Sequence, residues 1–279
     1  MEPSGKAGYG RAFANKKRPS MITMMQGALG LVSGVLVGFS LGLVGGGGSI
    51  LAVPLMVYVV GVPDAHVAIG TSAIAVAANA AINLGNHSRS GNVHWSCALL
   101  FAAAGIAGAI GGSTLGKLVD GNNLLVMFAL LMLVIAGLML RTRSNAGLAR
   151  VDISMANMPA LMALGLVTGT LSGFFGIGGG FLIVPALMLA TGMAIMSAIA
   201  SSLVAVTAFG ITTAANYALS GMISWWLALV VVLGGIVGGL AGSGSARHLS
   251  LRPGALNIVF ASIIIVVALY MLARNIYVI

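Results

Sequence analysis

Between residues 22 and 140 only four side chains carry a full charge: Asp64, Arg89, Lys117 and Asp120. None of them sits well inside an apolar run. A water-facing surface needs about a quarter of its residues charged, whereas 6% of these 279 residues are charged and 59% are hydrophobic. The chain is therefore expected to be an integral membrane protein. Its apolar runs lack the alternation of an outer-membrane barrel. Helices are the remaining way to satisfy backbone polar groups in lipid, and abundant Gly and Ala suit close helix contact there. The predicted fold class is all-α and polytopic, with about 8–10 membrane segments.

Apolar segments fall at 22–44, 49–61, 67–84, 96–116 and 124–140, and again at 158–175, 181–192, 193–217, 225–245 and 255–273. The second series reads as a copy of the first. Sliding residues 38–54 by 131 positions aligns eight identities in seventeen, from Gly38/Gly169 through Gly47/Gly178 and Gly48/Gly179 to Pro54/Pro185. A shift of 130 then pairs Asn86/Asn216, Gly91/Gly221, Trp95/Trp225 and Ser113/Ser243. Low complexity can match glycines by chance, but hardly Pro, Asn and Trp as well. Two similar halves are expected, 21–140 and 158–279, joined by a polar connector over 141–157. Such halves point to a transporter with a site at their interface.

The short segment 49–61 leaves the topology open. At about 20 Å of helix it falls short of a core of about 30 Å. If it crosses, each half has five crossings and the halves are inverted; if it dips, each has four and the halves are parallel. Lysine and arginine counts favour four-plus-four. The basic start (Lys6, Arg11, Lys16, Lys17, Arg18) is read as a cytoplasmic tail over 1–20, which puts both termini inside; no nucleic-acid partner is expected from it.

Each half breaks at a glycine run: "GLVGGGGSILAVP" at 42–54 and "GFFGIGGGFLIVP" at 173–185. Glycine costs a helix about 1 kcal/mol relative to alanine. A break followed by a new helix exposes that helix's first N–H groups, which with the dipole favour an anion. Close helix packing is the other use of such glycines. A bare helix N-terminus supplies about 0.3–1 kcal/mol to an anion, up to ~2 when partly buried, and desolvating the ion costs several times more. Hydroxyls or retained water must complete the shell. Thr71 and Ser72, matched by Ser201 and Ser202, are the candidates. Asn79, Asn83 and Asn216 are read as interhelical glue. Asn86, His87 and Arg89 form a candidate gate or anion-attracting loop, against a plainer reading as an interfacial loop anchored by Trp95. Asp64 is expected to support a helix N-terminus. No cofactor, catalytic group or metal site is expected, and with Cys97 alone no intrachain disulfide.

The glycine break ending in proline, the following "GTS", the "G-N-V-x-W" loop and the weaker copy of all three resemble the sulfite exporter TauE/SafE family. The resemblance implies movement of sulfite, an organosulfonate such as sulfoacetate, or a related anion across a bacterial cytoplasmic membrane, coupled to a proton or another ion. By motif it carries over Gly47, Gly48, Ser49, Thr71, Ser72, Gly178, Gly179, Gly180, Ser201 and Ser202 as substrate-binding. An anion channel and a membrane scaffold without substrate are the alternatives. Monomer and homo-oligomer both stay open.

Overall fold

The computed structural model describes residues 24–89, 91–141, 157–249 and 253–276. The basic tail and nearly all of the connector lie outside these residues. Among the described residues ten helices follow in order: α1 (Met24–Val44), α2 (Gly45–Val59), α3 (Ala65–Ser88), α4 (Trp95–Gly116), α5 (Gly121–Arg141), α6 (Met158–Phe175), α7 (Gly180–Thr191), α8 (Ile195–Leu219), α9 (Trp225–Leu249) and α10 (Pro253–Ile276). Among the described residues seven helices are long and apolar enough to span a membrane, and three apolar helices are shorter. The protein is a multi-pass helical membrane protein. Large apolar side chains such as Leu189, Leu219, Val237 and Val266 project outward, as a lipid-facing surface requires.

Local chemistry explains the helix boundaries. Asp64 Oδ1 accepts the backbone N–H of His66 (2.8 Å) and of Val67 (3.4 Å), so Asp64 caps α3 as expected. Asp120 does the same for α5 through Asn122 N–H at 3.0 Å. Gly176 and Gly192 adopt left-handed φ of 68° and 70° and end α6 and α7. The short α2 begins as tight 3₁₀ turns over Gly45–Leu51 and widens to π turns over Leu55–Val59. An α turn over Ala52–Pro54 joins the two, and Pro54 at its end has no N–H to donate to the preceding turn and crowds the carbonyl there.

Packing fixes the helix directions. Along α1, Gly30, Gly34, Gly38 and Gly42 meet Leu227, Val231, Gly235 and Gly239 of α9 in turn, so α1 and α9 are parallel. Asn79 and Asn83 of α3 meet Gly235 and Gly239, so α3 is parallel to both. Since α1 and α3 run the same way, α2 carries the chain back across between them. Likewise Gly165, Gly169 and Gly173 of α6 meet Phe101, Gly105 and Ala109 of α4, which runs parallel to α8 through the Phe101–Phe209 and Ser113–Asn216 contacts. Helices α3 and α8 are antiparallel, with Gly70 against Tyr217 and Ala77 against Gly210. This set of directions gives five passes on each side of the connector. The charge count pointed to four because that rule is statistical and several of its charges lie on short loops.

Candidate functional site

The glycine turns meet at the centre of the bundle. A Cβ placed on Gly46 would lie 2.6 Å from Gly180 Cα and 2.6 Å from Val206 Cγ2. On Gly180 it would overlap the Gly46 backbone outright. Gly45, at φ 65°, lies on Ile199 of α8; Gly176, at φ 68°, lies on Ile69 of α3. Each turn therefore rests on the central helix of the other half. Only glycine combines positive φ with so close a backbone approach.

The turns touch rather than flank an open cavity. Gly45 to Ile50 are buried, as are Gly178, Gly179 and Gly180. Ser49 is buried and its hydroxyl donates to Gly46 O at 2.9 Å, which closes the first turn on itself. A Cβ on Gly48 would overlap the backbone of Ser40 and Leu41 in α1. One on Gly179, at φ 65°, would lie 2.7 Å from Ser172 Cβ. Gly178, at φ 66°, faces Val76 and Val206 at the α3–α8 crossing.

Thr71, Ser72, Ser201 and Ser202 are all fully buried on α3 and α8. Ser72 donates to Ile69 O (2.9 Å) and Ser202 to Ile199 O (2.8 Å). Their protons are committed to their own helices. Ser202 Oγ also accepts the Gly46 N–H at 3.4 Å, which ties α8 to the first turn. Thr71 Oγ1 accepts the Ser224 N–H at 3.0 Å, and Ser201 Oγ accepts the His94 N–H at 3.0 Å. Residues 94 and 224 immediately precede α4 and α9, so these two hydroxyls hold the helix starts. A hydroxyl that accepts still has a proton to donate. Thr71 and Ser201 thus keep donor capacity at the core, and Ser72 and Ser202 do not.

The candidate gate lies at the far end of α3, away from this core. Asn86 and His87 are half-buried and Arg89 is exposed. The structure does not bring them to the glycine turns. At the opposite end, where α3 and α5 begin and α4 and α10 end, a cleft of about 800 Å³ is lined by Asp64, His66, Lys117, Asp120, Arg274 and Asn275 among others. Lys117 Nζ donates to Asn216 O (3.3 Å), Asn216 Oδ1 (2.7 Å) and Ser220 Oγ (3.0 Å). This cation closes the C-terminal turn of α8, where the helix dipole favours it. Asn216 Nδ2 in turn reaches Ser113 Oγ at 2.6 Å, so Asn216 does act as glue between helices. Lys117 was not singled out from the sequence because its partners are about a hundred residues away. No group of three or more His, Cys, Asp or Glu fit to hold a metal occurs among the described residues.

Two short broken helices meeting at the core of a multi-pass bundle are the architecture of membrane transport proteins. Residues 30–271 match the family described as "Sulfite exporter TauE/SafE", and the chain belongs to that family. A "Probable membrane transporter protein" of Xylella fastidiosa (strain 9a5c) is 50% identical, covering 87% of this chain and 94% of that protein. "Probable membrane transporter protein YunE" of Bacillus subtilis (strain 168) is 28% identical over 80% of this chain and 89% of its own length. A "Probable membrane transporter protein" of Haemophilus influenzae (strain ATCC 51907 / DSM 11121 / KW20 / Rd) is 30% identical over 68% and 73%. No solved structure matches the chain.

Proposed function

We propose that this protein is a secondary transporter that moves a small sulfur-containing anion, such as sulfite or sulfoacetate, across the bacterial cytoplasmic membrane, with both termini on the cytoplasmic side. The observation that carries the reading is the meeting of Gly46 and Gly180, with Ser202 Oγ accepting the Gly46 N–H and Thr71, Ser72 and Ser201 buried on the two helices that the turns rest on. The turns supply backbone N–H groups and Thr71 and Ser201 supply hydroxyl protons. Ser72 and Ser202 join only after releasing their carbonyls. In the compact arrangement described, the turns are closed on each other, and the anion enters when they separate.

The halves 21–140 and 158–279 are read as inverted repeats. Supporting this, the Thr71–Ser224 and Ser201–His94 bonds are one contact made twice with the halves exchanged. The Gly45–Ile199 and Gly176–Ile69 contacts repeat the same exchange. A two-fold axis that exchanges antiparallel α3 and α8 lies in the membrane plane. Alternating access then follows from rocking one half on the other.

Flux in proteoliposomes tests the reading. Uptake of labelled sulfite or sulfoacetate that saturates and follows an imposed ion gradient is the expected result. Absence of flux for both anions and for sulfate and thiosulfate would overturn it.

A further inference from the structure

Asn79 is fully buried in α3, and neither its amide nitrogen nor its amide oxygen has a hydrogen-bond partner. One turn on, Asn83 is 2% exposed; its nitrogen donates to Asn79 O at 2.9 Å and its side-chain oxygen has no partner. Glue was the expectation for both, and an amide acting as glue would be bonded across the seam. A buried polar group left unpaired is costly, so three such atoms on one helix face need a reason.

Both amides press on glycines of α9. A Cβ on Gly235 would overlap the Asn79 amide, and one on Gly239 would lie 2.9 Å from Asn83 Nδ2. The other half treats the same positions differently. There Phe209 replaces Asn79 and Thr213 replaces Asn83, and the Phe209 ring fills the space over Gly105 and stacks on Phe101 at 6.2 Å. One seam holds an aromatic ring beside the buried, unpartnered Thr213 hydroxyl, and its counterpart holds the unpartnered Asn79 amide and Asn83 oxygen over bare glycine.

Residues 72, 76, 79, 83 and 86 follow one another at steps of four and three, so they share one face of α3. That face starts at the glycine-turn contact and ends at Asn86. Its polar members are Ser72, Asn79, Asn83 and Asn86. We infer that Asn79 and Asn83 form a hydrogen-bonding station for the transported anion, uncovered when α3 and α9 part, on a path from the glycine turns to the C-terminal end of α3. An amide suits a travelling oxyanion: its N–H₂ donates without fixing the ion by full charge, and its oxygen keeps the ion's water. The inference rests on the transport reading above.

The test uses the full-length protein in proteoliposomes in two arms. In the first, Asn79→Leu is compared with wild type for sulfoacetate and sulfite flux and for melting temperature. The expected result is at least a tenfold loss of flux at sub-saturating anion, with a melting temperature equal to or above wild type. Unchanged flux per folded protein, at any melting temperature, would overturn the inference. In the second, Asn79→Cys in a Cys97→Ser background is treated with the membrane-impermeant anion 2-sulfonatoethyl methanethiosulfonate. The expected result is labelling from the α3 C-terminal side alone, slowed about tenfold by saturating sulfoacetate. A thiol that stays unreactive from both sides would overturn the inference. If wild type moves none of the anions, the transport reading fails, and the labelling arm still decides whether this path opens to water.

Discussion

Gly46 and Gly180 touch through their backbones: a Cβ on Gly46 would lie 2.6 Å from Gly180 Cα, and the reverse substitution overlaps more severely. Gly180→Ala should therefore lower stability in detergent by about 1–3 kcal/mol, as overpacking does. The reverse change, Gly46→Ala, should cost less, because one of its nearest neighbours is the movable Val206 side chain. Thermal melting of the two variants checks the order.

Gly48 and Gly179 meet different kinds of neighbour. A side chain at Gly48 meets the α1 backbone, whereas one at Gly179 first meets the Ser172 side chain, whose hydroxyl is buried without a partner. Gly48→Ala should reduce folded yield in membranes. Gly179→Ala carries the strain of a positive φ, and Gly179→Ala combined with Ser172→Gly should recover part of the lost melting temperature. No recovery in the double variant would show that the backbone conformation, and not the contact, is limiting.

Thr71→Val and Ser201→Ala each remove the acceptor for a half-buried N–H at the start of a helix, that of Ser224 or of His94. Each should cost about 0.5–1.5 kcal/mol of stability. In a direct binding assay with sulfoacetate, each should also weaken affinity more than Ser72→Ala or Ser202→Ala does. The reason is that the latter hydroxyls already donate to Ile69 and Ile199. The reverse order would mean that Ser72 and Ser202 turn toward the anion on binding.

Lys117→Met removes three bonds that tie the end of α4 to the last turn of α8. Methionine keeps most of the side-chain length, so the loss reports the ammonium. A fall of about 1–3 kcal/mol in stability is expected, as for hydrogen bonds to a charged group. Flux per folded protein should change little, because the bonds of Lys117 go to Asn216 and Ser220 and to neither glycine turn.

Much of this architecture was legible in the amino-acid sequence. The register linking Gly45 to Gly176 and Trp95 to Trp225 pointed to paired elements, and the glycine runs marked both broken helices. Asp64 as a cap followed from its place before an apolar helix. The direction of α2 was not legible, because thirteen apolar residues suit a dip or a short crossing equally well. It became fixed only through the contacts of Gly38 and Asn79 with Gly235, which join residues about 150 to 200 positions apart. The same limit hid the partners of Thr71 and Ser201. Residue type marked them as polar atoms in an apolar helix, but their bonds to Ser224 and His94 are tertiary. The asymmetry of Asn79 against Phe209 was visible in the aligned halves, yet its meaning depends on burial and on missing partners.

Transport itself is tested most directly by flux of labelled sulfoacetate and sulfite into proteoliposomes holding the wild-type protein, with and without an imposed pH or cation gradient. The account predicts uptake that saturates with anion concentration, rises with the gradient, and falls at least tenfold in Ser201→Ala at sub-saturating anion. Flux that grows linearly with concentration and ignores the gradient would make the protein a channel. No flux of any of the four anions, under any gradient, would contradict the account outright.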